Sequence, residues 1–159
     1  MRIISVVNQK GGTSKTTTVV NLSSYLANFG KKILLIDFDP QANATSGLGV
    51  NNFEKTIYEV LSGQTSIEKS LVKIKENLYL IPASENLAGA NIELVNEPDR
   101  EFKLAKIINN FPFDYDFVFI DTPPSLGLLT INSLVASDDV LIPVQAEYYA
   151  LEGLGQLLN

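Results

Sequence analysis

The stretch "KGGTSKTT", Lys10 to Thr17, gathers a glycine pair, two lysines and a run of hydroxyls directly after an apolar run. It nearly matches the phosphate loop G-x-x-x-x-G-K-[ST], yet counting back from Lys15 that pattern wants glycine at Gln9 and Ser14. Read as strand, loop and helix, the stretch still offers what an anion needs. A helix opening near Lys15 presents free backbone N–H groups and the positive end of its dipole. Gly11 and Gly12 let the backbone approach phosphate oxygens and take positive φ. Lys15 would then reach the β- and γ-phosphates of a nucleotide, and the Thr16 hydroxyl would ligate Mg²⁺. The plainer alternative is a glycine turn before a helix, with Lys15 as a solvated charge.

Carboxylates at two other apolar runs sharpen the first reading. "LLIDFDPQANAT" delivers Asp37 and Asp39, and "FVFIDTPPSLG" delivers Asp121 before a stiff turn with Pro123 and Pro124. A single aspartate at such a place is commonly a turn former or a helix cap. Three of them converging on a glycine–lysine loop point to phosphoanhydride hydrolysis. Asp121 is suited to holding Mg²⁺ through a water, and Asp39 to orienting the attacking water. Asp37 either supports the metal shell or is a structural strand-end carboxylate. Histidine and cysteine are absent, so proton transfer falls to carboxylates, lysines, hydroxyls or a substrate phosphate. Thiol nucleophiles, disulfides and thiolate metal sites are excluded.

These side chains need strands that end along one edge. Five apolar runs read as buried strands: 2–7, 32–37, 78–82, 116–121 and 139–144. They are continuous rather than alternating, as in a parallel sheet covered on both faces. Between them, Val19, Leu22, Leu26 and Phe29 recur at helical spacing before Gly30. A second helix is expected over 99–109 with Leu104, Ala105 and Ile108 on one side, and a third over 126–136 with Leu128, Ile131, Leu134 and Val135. Two short helices are expected around "TIYEVLSG" and "SIEKSL". The alternation predicts a doubly wound, mostly parallel α/β sheet flanked by helices, in a single domain over 1–159. A last helical pattern, "EYYALEGLGQLLN", stops at Asn159 without a cap or closing strand, so the domain is expected to be incomplete at its C-terminal end.

The 159 residues carry 45 % apolar and 19 % charged side chains and a net charge of −6. That balance argues against a general affinity for nucleic acid or anionic membrane. No apolar run is long enough to span a membrane, and "MRIISVV" lacks the long apolar core of a signal peptide. A cytoplasmic protein is expected.

Four ordered blocks, "KGGTSKTTT", "LLIDFDPQANATSGLG", "FVFIDTPPSLGLLTINSL" and "VLIPVQAEYYALEGL", together resemble the ParA/Soj partition ATPases, within the deviant Walker A group that includes MinD. The resemblance covers essentially the whole chain. This group writes its loop K-G-G-x-x-K-[ST], which accounts for the displaced glycines. The resemblance implies a P-loop ATPase fold with ATP and Mg²⁺ as cofactors. It makes Lys10 the signature lysine, which reaches across an ATP sandwich homodimer to the partner's phosphates. Electrostatics supports such a residue: Mg·ATP keeps a formal charge of about −2, which Lys15 alone under-neutralises in a dry site. Lys15 and Thr16 match the phosphate lysine and the Mg²⁺ ligand, Asp39 the water-orienting aspartate, and Asp121 the Walker B aspartate. Gly11 lies where a side chain would obstruct the partner chain, and Thr17 meets the α-phosphate. Gly12, Thr13 and Ser14 complete the nucleotide-binding loop. The group most often has glycine at Ser14, and serine would cost roughly 1 kcal/mol there if the backbone needs positive φ. Pro143 and Glu147 resemble positions near the nucleotide, with no role assigned.

The function implied is an ATP-dependent switch for chromosome or plasmid segregation, with weak hydrolysis that a ParB-like activator stimulates. In the full-length family the switch associates nonspecifically with DNA, through basic residues that lie mainly beyond this stretch. The dispersed 12 lysines and arginines here offer no substitute. Two other readings stand beside it. One is a MinD-like membrane-positioning ATPase, although no amphipathic helix with a basic polar face is visible and no membrane partner is expected. The other is a nucleotide-binding interaction module that no longer hydrolyses.

Overall fold

The computed structural model describes residues 1–111 and 114–145. The chain order is β1 (Arg2–Val6), α1 (Lys15–Asn28), β2 (Ile33–Asp37), α2 (Asn43–Gly47), α3 (Ile57–Leu61), β3 (Val72–Lys75), β4 (Leu78–Ile81), α4 (Leu87–Glu93), α5 (Lys103–Asn109), β5 (Phe117–Asp121), α6 (Leu128–Ala136) and β6 (Asp139–Leu141). Short 3₁₀ turns at Ile67–Ser70, Leu94–Asn96 and Arg100–Phe102 complete it.

The strands form one sheet in the order β3-β4-β2-β5-β1-β6. β4, β2, β5, β1 and β6 run parallel, and β3 pairs antiparallel with β4 at the edge. Both faces are covered, which is why the central runs are continuously apolar. On β2, Leu34 and Ile36 join one core with Val118 and Ile120 of β5, under α3 to α6. Ile33 and Leu35 join the other with Phe119, beneath Val19 and Ala27 of α1. The doubly wound α/β expectation is met, and all five expected strands exist with trimmed ends; the run 139–144 is strand only to Leu141.

Four expectations need correction. β3 is a sixth strand that sequence reading missed: "VKIK" is half-exposed and carries two lysines, so no apolar run marks it. α2 and α4 were also unmarked, both being short and rich in small or polar residues. Phe29 was placed on the buried side of α1, but it caps the helix at 68 % exposure and packs its ring on Tyr25. On α6 the expected apolar set is split, with Leu128 packed against the core and Leu134 half-buried. Ile131 and Val135 are exposed, while Leu129, Thr130, Asn132, Ser133 and Ala136 are buried.

The polar side of α6 is inward because every group there finds a partner. Asn132 Oδ1 accepts from Leu104 N–H (3.1 Å) and its Nδ2 donates to the carbonyls of Arg100 (2.8 Å) and Leu128 (3.0 Å). Ser5 of β1 donates its hydroxyl to the Ser133 carbonyl at 2.9 Å, a closeness that larger side chains would prevent. Satisfied buried polar groups cost little, so small size decided the facing, not hydropathy. The helix expected over 99–109 is a 3₁₀ turn followed by α5, and "SIEKSL" is a 3₁₀ turn. The pattern "EYYALEGLGQLLN" and Glu147 lie outside the described residues.

Candidate functional site

Parallel register sets the site. Val6, Asp121 and Asp37 end three adjacent strands at one level, since Val6 pairs with Asp121 and Asp121 with Asp37. The Thr122 hydroxyl donates to the Val6 carbonyl at 2.7 Å, and Phe38 N–H donates to the Asp121 carbonyl at 2.9 Å. These bonds tie the carboxyl edges together just where β1 gives way to the loop.

That loop curls above them into a cavity of about 510 Å³. Gly11 to Thr17 line it together with Asp39, Asn43, Gly47 and Pro124. Gly12 sits at φ +74°, a conformation that favours glycine. Gly11 does not, and a Cβ there would meet nothing within 4 Å, so nothing among the described residues demands glycine at that place. Ser14 is left-handed at φ 63°, ψ 27°, immediately before the first helical residue, Lys15. The amides of that first turn have no intrahelical acceptor and face the cavity end of α1. Thr13 is buried, and its hydroxyl donates to the Lys10 carbonyl at 3.1 Å. Thr17 is exposed on the cavity wall.

Charge is distributed unevenly. Lys15 is 8 % exposed; burial pulls its pKa down, while Asp121 and Asp39 pull it up. Asp121 is fully buried, and neither carboxylate oxygen has a hydrogen-bond partner of normal geometry among the described residues, although the Thr16 hydroxyl lies near enough to favour its charged form. Burial pushes its pKa up to about 7, Asp37 and Asp39 add to the rise, and Thr16 and Lys15 oppose it. Asp37 is the opposite case, although it too is fully buried. Its Oδ2 accepts from Thr45 N–H (2.8 Å) and the Thr45 hydroxyl (2.7 Å), and its Oδ1 from Asp39 N–H (3.3 Å). Burial still raises it to about 6 against those bonds. Asp39 lies on the cavity wall, its Oδ1 accepting from Gln41 N–H at 3.0 Å.

The orphaned Asp121 oxygens beneath Thr16 are the observation that fits a hard cation and its water shell. No group of three or more acidic side chains converges to cage a metal by itself among the described residues. A cation here would therefore share its coordination with a ligand's phosphates, as Mg²⁺ commonly does.

The structure thus brings together Gly11 to Thr17, Asp39, Asp37 and Asp121. Lys10 alone stands apart, exposed at the rim, with its ammonium 3.5 Å from Gln145 Oε1. Sequence reading missed Thr45, Asn43, Gly47 and Gln145. Thr45 acts eight positions from Asp37 through a helix too short to show periodicity, and no sequence signal marks Gln145.

A parallel sheet whose loop-to-helix phosphate cradle overlies a strand-end carboxylate defines a P-loop nucleotide-binding α/β domain. The chain belongs to the AAA domain family, whose model matches residues 1–159, and within it groups with the ParA/Soj partition proteins. It is 54 % identical over 162 residues to the sporulation initiation inhibitor protein Soj of Bacillus subtilis, covering 99 % of this chain and 64 % of that one. It is 51 % identical to the chromosome partitioning protein ParA of Myxococcus xanthus, covering 99 % and 57 %. The chain therefore spans about three fifths of the length of these curated relatives. Among solved structures, a putative plasmid partition protein of Borrelia burgdorferi bound to AMPPNP superposes with a TM-score of 0.91 at 33 % identity, over 99 % of this chain and 68 % of that one. Cobyrinic acid a,c-diamide synthase of Mycobacterium smegmatis with bound ATP analog and magnesium gives 0.94 at 41 %, over 99 % and 66 %.

Proposed function

We propose that this chain is the nucleotide-handling part of a partition ATPase, binding Mg·ATP and hydrolysing its terminal phosphoanhydride. The observation that carries this reading is the unpartnered Asp121 carboxylate buried under the Lys15–Thr16 end of the loop. A buried carboxylate without partners is costly unless a ligand completes it. Thr16 and, through water, Asp121 would hold Mg²⁺, which supplies neutralisation of charge on the phosphates. Lys15 neutralises further charge from the loop side, and the amides of Gly11 to Thr17 cradle the oxygens. Asp39 keeps acceptor capacity beyond its bond from Gln41 and orients the attacking water. Asp37 serves the metal shell indirectly, by fixing the loop that carries Asp39.

Two chains would face each other with two nucleotides between them, each Lys10 reaching the other's phosphates. Gly11 fits this, since a Cβ there would meet nothing within 4 Å among the described residues, leaving room for close approach by a second chain. A ParB-like partner would stimulate hydrolysis, and DNA association would belong to the paired state of the longer family members. Relatives named for chromosome partitioning, the ATPase Soj of Treponema pallidum at 54 % and ParA of Myxococcus xanthus at 51 % identity, stand above the 41 % of the synthase structure and favour partition over small-molecule synthesis. No helix among the described residues is long and apolar enough to cross a membrane.

The test is equilibrium binding of Mg·ATP to the 159-residue chain, with molar mass by light scattering and Lys15→Ala as control. Binding with mass doubling, both lost in the control, is expected. Absence of binding by the native chain would overturn the reading.

A further inference from the structure

We propose that Gln145 is a positioning residue that helps hold the Lys10 ammonium against its own chain, so that pairing of two chains must exchange this contact. The inference rests on the reading of Lys10 as the lysine that acts across the pair.

After β6 the chain runs alongside the loop and meets it at successive points. Val7 N–H donates to the Leu141 carbonyl at 3.0 Å, continuing the ladder one residue past the end of β1. Asn8 Nδ2 donates to the Pro143 carbonyl at 2.7 Å. Gln145 then reaches over Gly11 and contacts the residue on each side of it. Its Nε2 donates to the Gly12 carbonyl at 3.3 Å, and its Oε1 accepts from Lys10 Nζ at 3.5 Å. Only a side chain with both a donor and an acceptor can make the two contacts, and a carboxamide is one.

The geometry divides Lys10 into a fixed part and a movable part. Its N–H donates to Asn8 Oδ1 at 3.0 Å, and its carbonyl accepts from the Thr13 hydroxyl at 3.1 Å. The backbone is thereby held while the side chain can swing. Long, exposed hydrogen bonds of this kind bias a side chain by about two- to tenfold in population, enough to set a threshold and weak enough to be displaced by phosphate.

Two substitutions separate this role from plain support of the loop. Gln145→Ala removes one acceptor of the Lys10 ammonium and should make Mg·ATP-dependent mass doubling occur at about two- to tenfold lower protein concentration. Gln145→Glu replaces a neutral acceptor by a charged one, holds Lys10 more firmly and should raise that concentration, the more so at low salt. Affinity for a fluorescent ADP analogue, read on the unpaired chain, should stay within about threefold of native for both. Opposite shifts in pairing with nearly constant ADP affinity support the inference. Shifts in the same direction, no shift, or a parallel loss of ADP affinity in both variants would overturn it. A native chain that binds Mg·ATP without doubling its mass would instead overturn the reading of Lys10, and this inference with it.

Discussion

Ser14 shows how one residue carries a local cost. It holds a left-handed backbone, φ 63°, that glycine adopts freely, and its side chain forms no helix-capping hydrogen bond. Ser14→Gly should therefore stabilise the protein by about 1 kcal/mol, read from urea unfolding, with Mg·ATP binding retained. Destabilisation would show that the serine is not strained there. Asp121 carries a larger cost, and pH exposes it. Burial raises Asp121 to about 7 and Asp37 to about 6, whereas in the unfolded chain both titrate in the ordinary carboxylate range. Between that range and pH 7 the folded protein binds more protons than the unfolded one, so stability falls as pH rises. The slope is at most about 1.4 kcal/mol per pH unit for each group. Asp121→Asn should flatten the fall between pH 5 and about 7.5 and stabilise the nucleotide-free protein near neutrality. Urea midpoints across that range check it, and an unchanged slope would remove Asp121 as the cause.

Among the elements, α2 matters more than its length suggests. Its Thr45 donates twice to the buried Asp37 and accepts from Ala83 N–H at 3.0 Å, joining β2, α2 and the chain beyond β4. Thr45→Val keeps the volume but strips a charged oxygen and a buried amide of one partner each. A loss of about 2–4 kcal/mol in urea unfolding is expected, with weaker nucleotide binding as the Asp39 loop loosens. A loss below 1 kcal/mol would show that water replaces the hydroxyl. At this scale the sequence was legible where period and burial agree. β2 and β5 carry continuous apolar runs and were found, and Val19 marked the buried side of α1. It misled on α6, where Asn132 faces inward to Leu104 of α5 and the Arg100 carbonyl, and the Ser133 carbonyl meets Ser5 of β1. No window of sequence contains those partners.

Across the whole molecule, the sheet should be firmest at its centre. β5 lies between β2 and β1, while β6 pairs with β1 alone among the described residues, over Ile4 to Val6. Amides of Val118 to Ile120 should exchange with solvent more slowly than those of β6 by on the order of a hundredfold, measured by hydrogen exchange. Equal protection would mean that the sheet opens as a single unit. The same arrangement puts the site where three adjacent strand ends meet, so the loop rests on the centre of the sheet.

By itself the sequence determined the loop, its lysines and hydroxyls, and the three aspartates, because those are local chemistry: residue types at fixed spacing after apolar strands. It also determined that the strands would be parallel and covered. Only the tertiary structure decided what each aspartate does. Register sets Asp37 beside Asp121, but Thr45 and Asp39 N–H occupy Asp37 while Asp121 is left open. It likewise decided that Gln145 meets Lys10 and Gly12 across more than 130 positions. Hydrogen-bond partners distant in sequence are chosen by packing, and packing is not written in any one stretch.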